Sequence, residues 1–314
     1  MISRLTIASL AVALVLLGKS DLAGGADPVS IAEAEYAGLR QSLCPPPGTP
    51  APDFSVLFDT ARQRMAPVRV FDNLYFVGMK TVSAWAVTTS DGIILMDAMF
   101  HYNVKETVVD GLHALGLEPA TIRYVIVTHA HNDHFGGAKY LQDTYGARIV
   151  LSAADWDHMT TWPQLGSPAP LPKRDIAAKD GDEITLGDTT IRLLVTPGHT
   201  PGTLSAVIPV RDNGDKHLIG YWGGGAVGFL KPEGIELYIR SVHRFVESAQ
   251  GVDVELTNHA SYDGALLKID ALLKRQPGEV HPFVTGNAGF ARWMNAIGGC
   301  AGEVLEQKRR NNEG

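Results

Sequence analysis

Hydrophobic positions in the first part of the chain come in short runs separated by turn-forming residues. Between residues 68 and 97, segments rich in β-branched and aromatic residues are divided by Asp-Asn, Gly and Asp-Gly positions. Short strands joined by tight turns form antiparallel sheets. The pattern predicts four such strands, at residues 68–71, 74–77, 83–88 and 93–97.

After residue 97, strands begin to alternate with segments in which apolar residues recur at helical spacing. The predicted helices are 104–115, 138–145, 153–159, 237–249 and 265–273, and the predicted strands are 124–128, 149–151, 183–186, 190–195, 204–210, 216–221 and 254–257. The second half of the chain thus repeats the order of elements in the first half, with hairpin strands followed by strands and helices. Two mixed sheets packed face to face, with helices outside both, would bury these apolar runs. We therefore predict an α/β fold of four layers, formed by one domain at residues 68–314.

The first 67 residues differ in character from the rest. An apolar run at residues 5–17 follows a short polar start and precedes small residues, which is the layout of a secretory signal peptide at residues 1–26. A retained membrane anchor would need a longer apolar span. Residues 27–67 include three consecutive prolines and are predicted to form an N-terminal arm on the surface of the domain.

The chain has two cysteines, Cys44 in the proline-rich arm and Cys300 near the C-terminus. Export to an oxidising compartment would permit a disulfide between them. Such a bridge would tie the two ends of the chain together. The alternative is two separate thiols.

Composition narrows the range of partners. The formal net charge is −7, and no run of the chain is rich in Lys and Arg. Contacts with phosphates need clustered positive charge, so nucleic acid is not expected as a partner. Beyond the signal segment, no stretch is long and apolar enough to cross a bilayer. The expected partner is a small-molecule substrate.

The densest group of polar residues follows the predicted strand 124–128. The next six positions contain His129, His131, Asp133 and His134. Alternate residues of an extended segment share a face, so His129 and His131 can point the same way while the last two turn towards a second position. Imidazole and carboxylate donors together suit zinc. The alternative interpretation is a surface loop that happens to be rich in histidine.

Two further histidines follow predicted strands. His199 lies in Thr-Pro-Gly-His-Thr-Pro-Gly, where Pro-Gly pairs on both sides hold it in a fixed turn. His259 follows the strand 254–257 directly. A single histidine in a turn usually has no special role. Three strand ends that deliver histidines to one edge of the sheets would, however, form a dinuclear metal site.

The chain resembles the metallo-β-lactamase superfamily in three motifs, which are His129-Ala-His131-Asn-Asp133-His134, Thr196-Pro-Gly-His199-Thr-Pro-Gly and the later His259. The resemblance implies an αββα sandwich with metals at one edge of the sheets. Within the superfamily, residues 68–299 are similar to the subclass B3 zinc β-lactamases. The same ligand motif also occurs in lactonases, in glyoxalase II and in other hydrolases.

The resemblance implies two Zn²⁺ per chain. The first zinc would be held by His129, His131 and His199, and the second by Asp133, His134 and His259. A metal-bound hydroxide would attack the lactam carbonyl. Asp133 would also orient this nucleophile. Asp97, at the end of its predicted strand, would form a hydrogen bond with a metal ligand on the side away from the metal.

Two departures from related sequences bear on the substrate. Lactonases and glyoxalases of this superfamily are expected to carry an Asp that bridges both metals, in the region where this chain reads Trp222-Gly223-Gly224-Gly225. Subclass B3 enzymes usually offer serines to the carboxylate of the drug in the same region. Here Lys231 or Arg240 would have to take over that contact. Trp162 lies in a proline-rich loop long enough to reach over a neighbouring cleft.

The sequence is therefore interpreted as a periplasmic or secreted zinc hydrolase that opens β-lactam rings, an activity that would confer antibiotic resistance. The first alternative is a lactonase or another ester hydrolase of the same fold, acting for example on acyl-homoserine lactones. The second alternative is a mononuclear iron oxygenase, which uses a similar set of histidines. A binding protein without catalysis is not expected while all six ligands are present.

Overall fold

The computed structural model of the protein describes residues 36–46, 49, 54–161, 163, 164, 166 and 168–312. The predicted signal peptide and Trp162 lie outside the described residues. Within these ranges, no helix is both long and apolar enough to cross a bilayer.

The first sheet has seven strands. In spatial and chain order they are β1 (Val68–Phe71), β2 (Leu74–Phe76), β3 (Trp85–Thr89), β4 (Gly92–Met96), β5 (Ile122–Ile126), β6 (Arg148–Ser152) and β7 (Ile176–Ala178). The strands β1 to β4 pair antiparallel, and β4 to β7 pair parallel. Parallel pairs need crossover connections, which explains why helices appear in the sequence after the fourth strand.

The second sheet has five strands, in the order β12-β11-β10-β9-β8. They are β8 (Glu183–Leu186), β9 (Thr189–Val195), β10 (Leu204–Asp212), β11 (Asp215–Trp222) and β12 (Val254–Thr257). The strands β11 and β12 are parallel, and the other neighbours are antiparallel. As a result β9, β11 and β12 run in the same direction and end at the same edge.

Helices cover the outer faces of both sheets. They are α1 (Ala37–Leu43), α2 (Thr60–Gln63), α3 (Asp110–Ala114), α4 (Asn132–Phe135), α5 (Ala138–Tyr145), α6 (Ala153–His158), α7 (Pro232–Ser248), α8 (Ala260–Asp263), α9 (Ala265–Lys274) and α10 (Gly286–Asn312). Single helical turns at Phe54–Phe58, Lys105–Val109 and Pro119–Thr121 complete the set of helical segments.

Three groups of buried side chains fill the spaces between the four layers. Residues of both sheets, among them Trp85 and Tyr221, fill the space between the sheets. The outer face of the first sheet packs on helices through residues such as Leu112, and that of the second sheet through residues such as Phe245. The structure is therefore a four-layer αββα sandwich, and the predicted fold is confirmed.

The predicted element boundaries differ from the structure at several points. The helix predicted at 104–115 begins as a π-helical turn, Lys105–Val109. Helix α7 begins at Pro232, five residues before the predicted start, because proline fits the first turn of a helix. Neither β7 nor the long helix α10 is predicted by the sequence pattern.

The N-terminal arm is fastened to the end of the chain. In α1, Leu39 and Leu43 are buried in the same group of core residues as the side chains of α10. The guanidinium of Arg40 forms two hydrogen bonds with the carboxylate of Glu303, at 2.9 and 3.1 Å. Cys44 and Cys300 form a disulfide, with their Cα atoms 5.2 Å apart. Of the two alternatives for these cysteines, the structure contains the bridge.

Candidate metal centre

The strand ends deliver the candidate ligands to one edge of the sandwich. The strands β4 and β5 are parallel, so the segments that follow them leave the first sheet at the same edge. The strands β9 and β12 run in the same direction in the second sheet, and the segments carrying His199 and His259 follow them. The backbone N–H of Leu204 donates to the carbonyl of Thr128 at 2.7 Å and joins the two sheets beside this edge.

The first group of donors consists of three imidazoles. The nitrogens His129 Nε2 and His131 Nδ1 lie 3.1 Å apart, and His199 Nε2 lies 3.1 and 3.2 Å from them. A tetrahedral zinc with nitrogen ligands at 2.0–2.1 Å requires donor separations of about 3.3 Å. The three nitrogens thus converge at a spacing that one zinc-sized ion could bridge.

The second group combines two imidazoles with a carboxylate. His134 Nε2 lies 3.1 Å from Asp133 Oδ2 and 3.2 Å from His259 Nε2. His259 Nε2 is 3.8 Å from the same carboxylate oxygen. Within the described residues, these two triads are the groups of His, Cys, Asp and Glu that could hold a metal ion. The structure therefore brings together all six ligands predicted from the sequence, in the predicted pairing.

Hydrogen bonds behind the rings decide which nitrogen faces inward. His199 Nδ1 lies 2.8 Å from the carbonyl of Ala226, and His259 Nδ1 lies 3.0 Å from that of Thr81. A carbonyl only accepts, so these Nδ1 atoms carry the protons and each Nε2 is left with a lone pair. Asp97 Oδ2 lies 3.0 Å from His134 Nδ1 and has the same effect there. Asp97 thus lies where the sequence places a supporting partner.

Burial keeps the first group neutral. It lowers the pKa of His129 and of His199 well below the usual value, and neighbouring imidazoles add to the shift. Burial also lowers the pKa of His131 to about 4. Metal binding requires deprotonated donors, so neutral imidazoles are the form that a cation needs.

The second group favours a positive charge. Burial lowers the pKa of His134, but the carboxylates of Asp133 and Asp97 outweigh it and raise this pKa to about 10. Burial acts in the opposite direction on Asp133, and the neighbouring His134 outweighs it and holds the pKa of this carboxyl below its usual range. The two carboxylates that favour a proton on His134 would also attract a bound cation.

The donor set fits a pair of divalent metal ions. Three neutral imidazole nitrogens and a triad with one carboxylate are typical zinc ligands. Asp133 Oδ1 is buried and has no hydrogen-bond partner within the described part of the chain. Such an oxygen is costly to leave unpaired. His131 and His259 are the two partly exposed donors, so both groups open towards solvent on one side.

A buried polar network under the donors links the strand ends. Asp97 accepts hydrogen bonds from the backbone N–H and the hydroxyl of Thr128, at 2.7 and 3.0 Å. The side-chain amide of Asn258 donates to the Thr128 hydroxyl at 3.0 Å and to the carbonyl of Gly223 at 2.9 Å. The N–H of Gly223 donates to Ser205 Oγ at 3.2 Å. The pattern of polar residues along the chain does not reveal this network, because its members are far apart in sequence.

Two glycines in the segment after β11, Gly223 and Gly225, are closely packed. A Cβ on Gly223 would lie 1.9 Å from the carbonyl oxygen of Leu204. A Cβ on Gly225 would lie 3.2 Å from Cε1 of His199. The segment therefore passes directly over a first-group ligand and can offer backbone atoms rather than a carboxylate or a hydroxyl.

Aromatic residues flank the open side of the centre. The Phe229 ring is 48% exposed and lies 5.5 Å from the His199 ring and 6.1 Å from the His131 ring. Tyr102 is 39% exposed, and burial together with the charge of Asp133 raises its pKa to about 12. Neither residue is predicted as a site residue from the sequence, because both lie at least 27 positions from the candidate ligands in the chain and only the fold brings them close.

The predicted substrate contacts are less well placed. Lys231 is exposed and directly precedes helix α7, two residues after Phe229. Arg240 is exposed on α7 itself. Trp162 belongs to the positions that the structure does not describe. A role for these three residues in substrate binding stays a prediction.

The chain is similar to known proteins in part of its sequence and in its fold. Residues 77–212 match the model of the metallo-beta-lactamase superfamily. A Cronobacter sakazakii metallo-β-lactamase with a HARLDQ motif is similar at 28% identity, with a TM-score of 0.70 over 81% of this chain and 99% of that chain. The subclass B3 metallo-β-lactamase BJP-1 of Bradyrhizobium japonicum has 24% identity and a TM-score of 0.68 over 82% and 98%.

Curated relatives match over shorter stretches. A hydroxyacylglutathione hydrolase of Acidiphilium cryptum is 40% identical over 79 residues, 25% of this chain and 28% of that enzyme. The hydroxyacylglutathione hydrolase of Methylococcus capsulatus is 35% identical over 91 residues, 29% of this chain and 31% of that enzyme. The chain thus spans less than a third of the length of either relative.

Proposed function

We propose that this chain is a metal-dependent hydrolase of the metallo-β-lactamase superfamily and that it opens β-lactam rings with the help of two zinc ions. The observation that carries the proposal is the pair of three-donor groups, in which one carboxylate, that of Asp133, belongs to the second group alone. A centre without a carboxylate shared by both groups is the arrangement that the resemblance to subclass B3 enzymes implies. The 28% identity to a Cronobacter sakazakii metallo-β-lactamase supports β-lactam hydrolysis.

The chain contributes position and charge to the reaction. When bound, two zinc ions would lower the pKa of a water to near neutrality and polarise the scissile carbonyl. Asp133 offers Oδ2 to the second group and keeps the buried Oδ1 available. We propose that Oδ1 accepts a hydrogen bond from the attacking water and orients it. Preorganised acceptors of this kind lower the entropic cost of reaching the transition state.

The glycine-rich segment bears on substrate choice. Position 223 has no room for a side chain and position 225 is tightly packed against His199, and both are glycines, so neither offers a bridging carboxylate or a serine for the drug carboxylate. We propose that the carboxylate of a β-lactam instead meets Lys231 or Arg240, which are exposed before and on helix α7. Phe229, beside two first-group ligands, would contact the apolar part of the substrate.

We also propose that the protein works outside the cytoplasm, in the periplasm or after secretion. The signal-like segment at residues 1–26 supports this location. So does the Cys44–Cys300 disulfide, because disulfides persist in oxidising compartments. β-Lactams act outside the cytoplasmic membrane, so they would be present in that compartment.

Thioester hydrolysis is the second candidate function. It is favoured by the local identity to hydroxyacylglutathione hydrolases, which reaches 40% over 79 residues. Among the residues that the structure describes, no carboxylate is common to both donor groups, and this is the observation against thioester hydrolysis. The lack of a shared carboxylate also argues against lactone hydrolysis.

The test is a comparison of substrates with the zinc-loaded protein. Hydrolysis of nitrocefin and of a carbapenem would be measured beside that of a hydroxyacylglutathione thioester and an acyl-homoserine lactone. We expect β-lactam hydrolysis that a chelator abolishes and added zinc restores. Turnover of the thioester or the lactone, with both β-lactams inert, would overturn the proposal.

A further inference from the structure

Asp155 is a buried carboxylate that belongs to neither group of metal donors. It lies in the first turn of helix α6 and is fully buried, with 0% of its surface exposed. Its Oδ2 accepts hydrogen bonds from the backbone N–H of Ala130 at 2.9 Å and from the hydroxyl of Thr200 at 2.7 Å. Its Oδ1 accepts from the backbone N–H of Gly202 at 2.6 Å.

All three partners lie in the loops that carry the first group of donors. Ala130 stands between the ligands His129 and His131, and Thr200 directly follows the ligand His199. One loop comes from the first sheet and the other from the second. Asp155 therefore joins the two segments whose separation sets the spacing of the first group. It has no such contact with the segment that carries His259.

The carboxylate is held rigidly. Its own backbone N–H donates to Ser152 Oγ, which caps α6, at 3.2 Å. The neighbouring Trp156 donates through Nε1 to the carbonyl of Ile176 at 2.9 Å and fastens the helix to β7. A Cβ on Gly202 would lie 2.9 Å from Asp155 Oδ1, so the ligand loop approaches as closely as glycine permits.

The hydrogen bonds of Asp155 do more than cap the start of helix α6. In a capping box the acidic side chain at this helix position reaches back to the backbone N–H of the capping residue. Asp155 instead uses both oxygens on residues 25 to 47 positions away. Without the carboxylate, the buried backbone N–H groups of Ala130 and Gly202 would lose these partners, whereas the Thr200 hydroxyl also lies 2.6 Å from Thr203 Oγ1.

We propose that Asp155 is a positioning residue for the first metal site, which clamps the two ligand loops so that three imidazole nitrogens converge. Two donors of the second site, Asp133 and His134, follow Ala130 in the same loop, but that site is also fastened through Asp97 and Thr81, so Asp155 should affect it less. The proposal rests on the metal centre of the proposed function, and not on which substrate is hydrolysed.

Asp155→Asn is the most direct perturbation. It keeps the shape of the side chain but turns one acceptor into a donor, which must then face at least one backbone N–H or the Thr200 hydroxyl. Partners behind metal ligands typically change metal affinity by about 10- to 100-fold. We expect a loss of that size at the first site and less than about 3-fold at the second.

The two sites are measured separately in single-site backgrounds. His259→Ala leaves the first site intact, and His199→Ala leaves the second. Zinc affinity would be determined by chelator competition, with and without Asp155→Asn in each background. Loss confined to the His259→Ala background supports the proposal. An equal loss in both backgrounds, as general destabilisation would produce, or no loss at the first site overturns it.

Two further variants keep the test decisive. Asp157→Asn, on the same helix, alters a side chain that is 74% exposed and paired with Arg174, and it is expected to change neither site. Should Asp155→Asn fail to fold, Thr200→Val removes one of the three hydrogen bonds to Asp155 at similar volume, together with the contact between the Thr200 and Thr203 hydroxyls. It should weaken the first site alone by a few-fold. Nitrocefin hydrolysis by the unaltered protein tests the proposed function independently.

Discussion

At the scale of single residues, the hydrogen bond on the outer nitrogen of each histidine decides which nitrogen faces a metal. Asp97 has this role for His134. Its backbone has a φ of 61°, in the left-handed region that Asn also adopts. Substitution by Asn therefore changes the hydrogen bonding while the backbone conformation can be kept.

We expect Asp97→Asn to weaken zinc binding at the second site by about 10- to 100-fold. If the amide nitrogen faces His134, the imidazole must accept at Nδ1 and carry its proton on Nε2, where the metal would bind. If the amide oxygen faces His134, the NH₂ group opposes the backbone N–H of Thr128. Chelator competition in the His199→Ala background measures the effect. Unchanged affinity there, matching that of the exposed control Asp91→Asn, would contradict the assignment.

His199→Ala removes a first-site donor without touching the sheet packing. We expect zinc content to fall from two ions to one and β-lactam hydrolysis to drop by about 100-fold or more. Circular dichroism of the variant should match that of the unaltered protein. Turnover that survives with two zinc ions still bound would show that the ligand assignment is wrong.

The six ligands are predictable from the sequence because four of them lie within six positions and the others directly follow apolar strands. Asp97 is predictable for the same reason. Asp155 is not, because its partners lie 25, 45 and 47 residues away and only the fold brings them together. The Ser152-x-x-Asp155 pattern indicates a helix start, and nothing in it indicates a contact with ligand loops.

At the scale of elements, the loop that carries His199 depends on its close contact with helix α7. Gly198 has a φ of 142°, and a Cβ there would lie 2.4 Å from the Cα of Tyr238. Ser241 Oγ donates to the carbonyl of Pro197 at 2.7 Å and holds the loop down. Any side chain at Gly198 would lift the loop away from the helix and displace the ligand.

We expect Gly198→Ala to destabilise the protein by about 3 kcal/mol and to weaken the first metal site. Gly116→Ala is the matched control, because Gly116 has a φ of 74° but no atom within 4 Å of its added Cβ. Backbone strain alone should cost about 1 kcal/mol there. Thermal unfolding and zinc titration of both variants measure the difference. Equal losses of stability with normal zinc binding would contradict this role of the loop.

Most elements are predictable because their apolar periodicity is undisturbed, but α10 is not. This helix contains five glycines, which lower helical propensity, although Phe290, Trp293, Met294 and Ile297 recur at helical spacing. Burial of these side chains against α7 and the second sheet overrides the low propensity. The short strand β7 is missed because it follows a proline-rich loop and contains three residues.

At the scale of the whole molecule, one covalent bond ties together segments that are 256 residues apart in the chain. It holds α1 against α10 and against the short helix that follows His259. In that contact, Ser42 Oγ donates to Ser261 Oγ at 3.1 Å. Long closed loops restrict the unfolded chain strongly, so such a bridge contributes to stability.

We expect the unreduced, denatured protein to show no free thiols. The double variant Cys44→Ala, Cys300→Ala should lose about 2–4 kcal/mol of unfolding free energy. Its zinc content should stay at two, because the bridge touches neither donor group. Two free thiols in the unaltered protein would contradict the bridge.

The metal content of the purified protein tests the central claim most directly. Elemental analysis after dialysis, with zinc supplied during growth, measures the identity and number of bound ions together. The two convergent donor groups predict two zinc ions per chain. One iron per chain and no zinc would contradict the account and favour an oxygenase of the same fold.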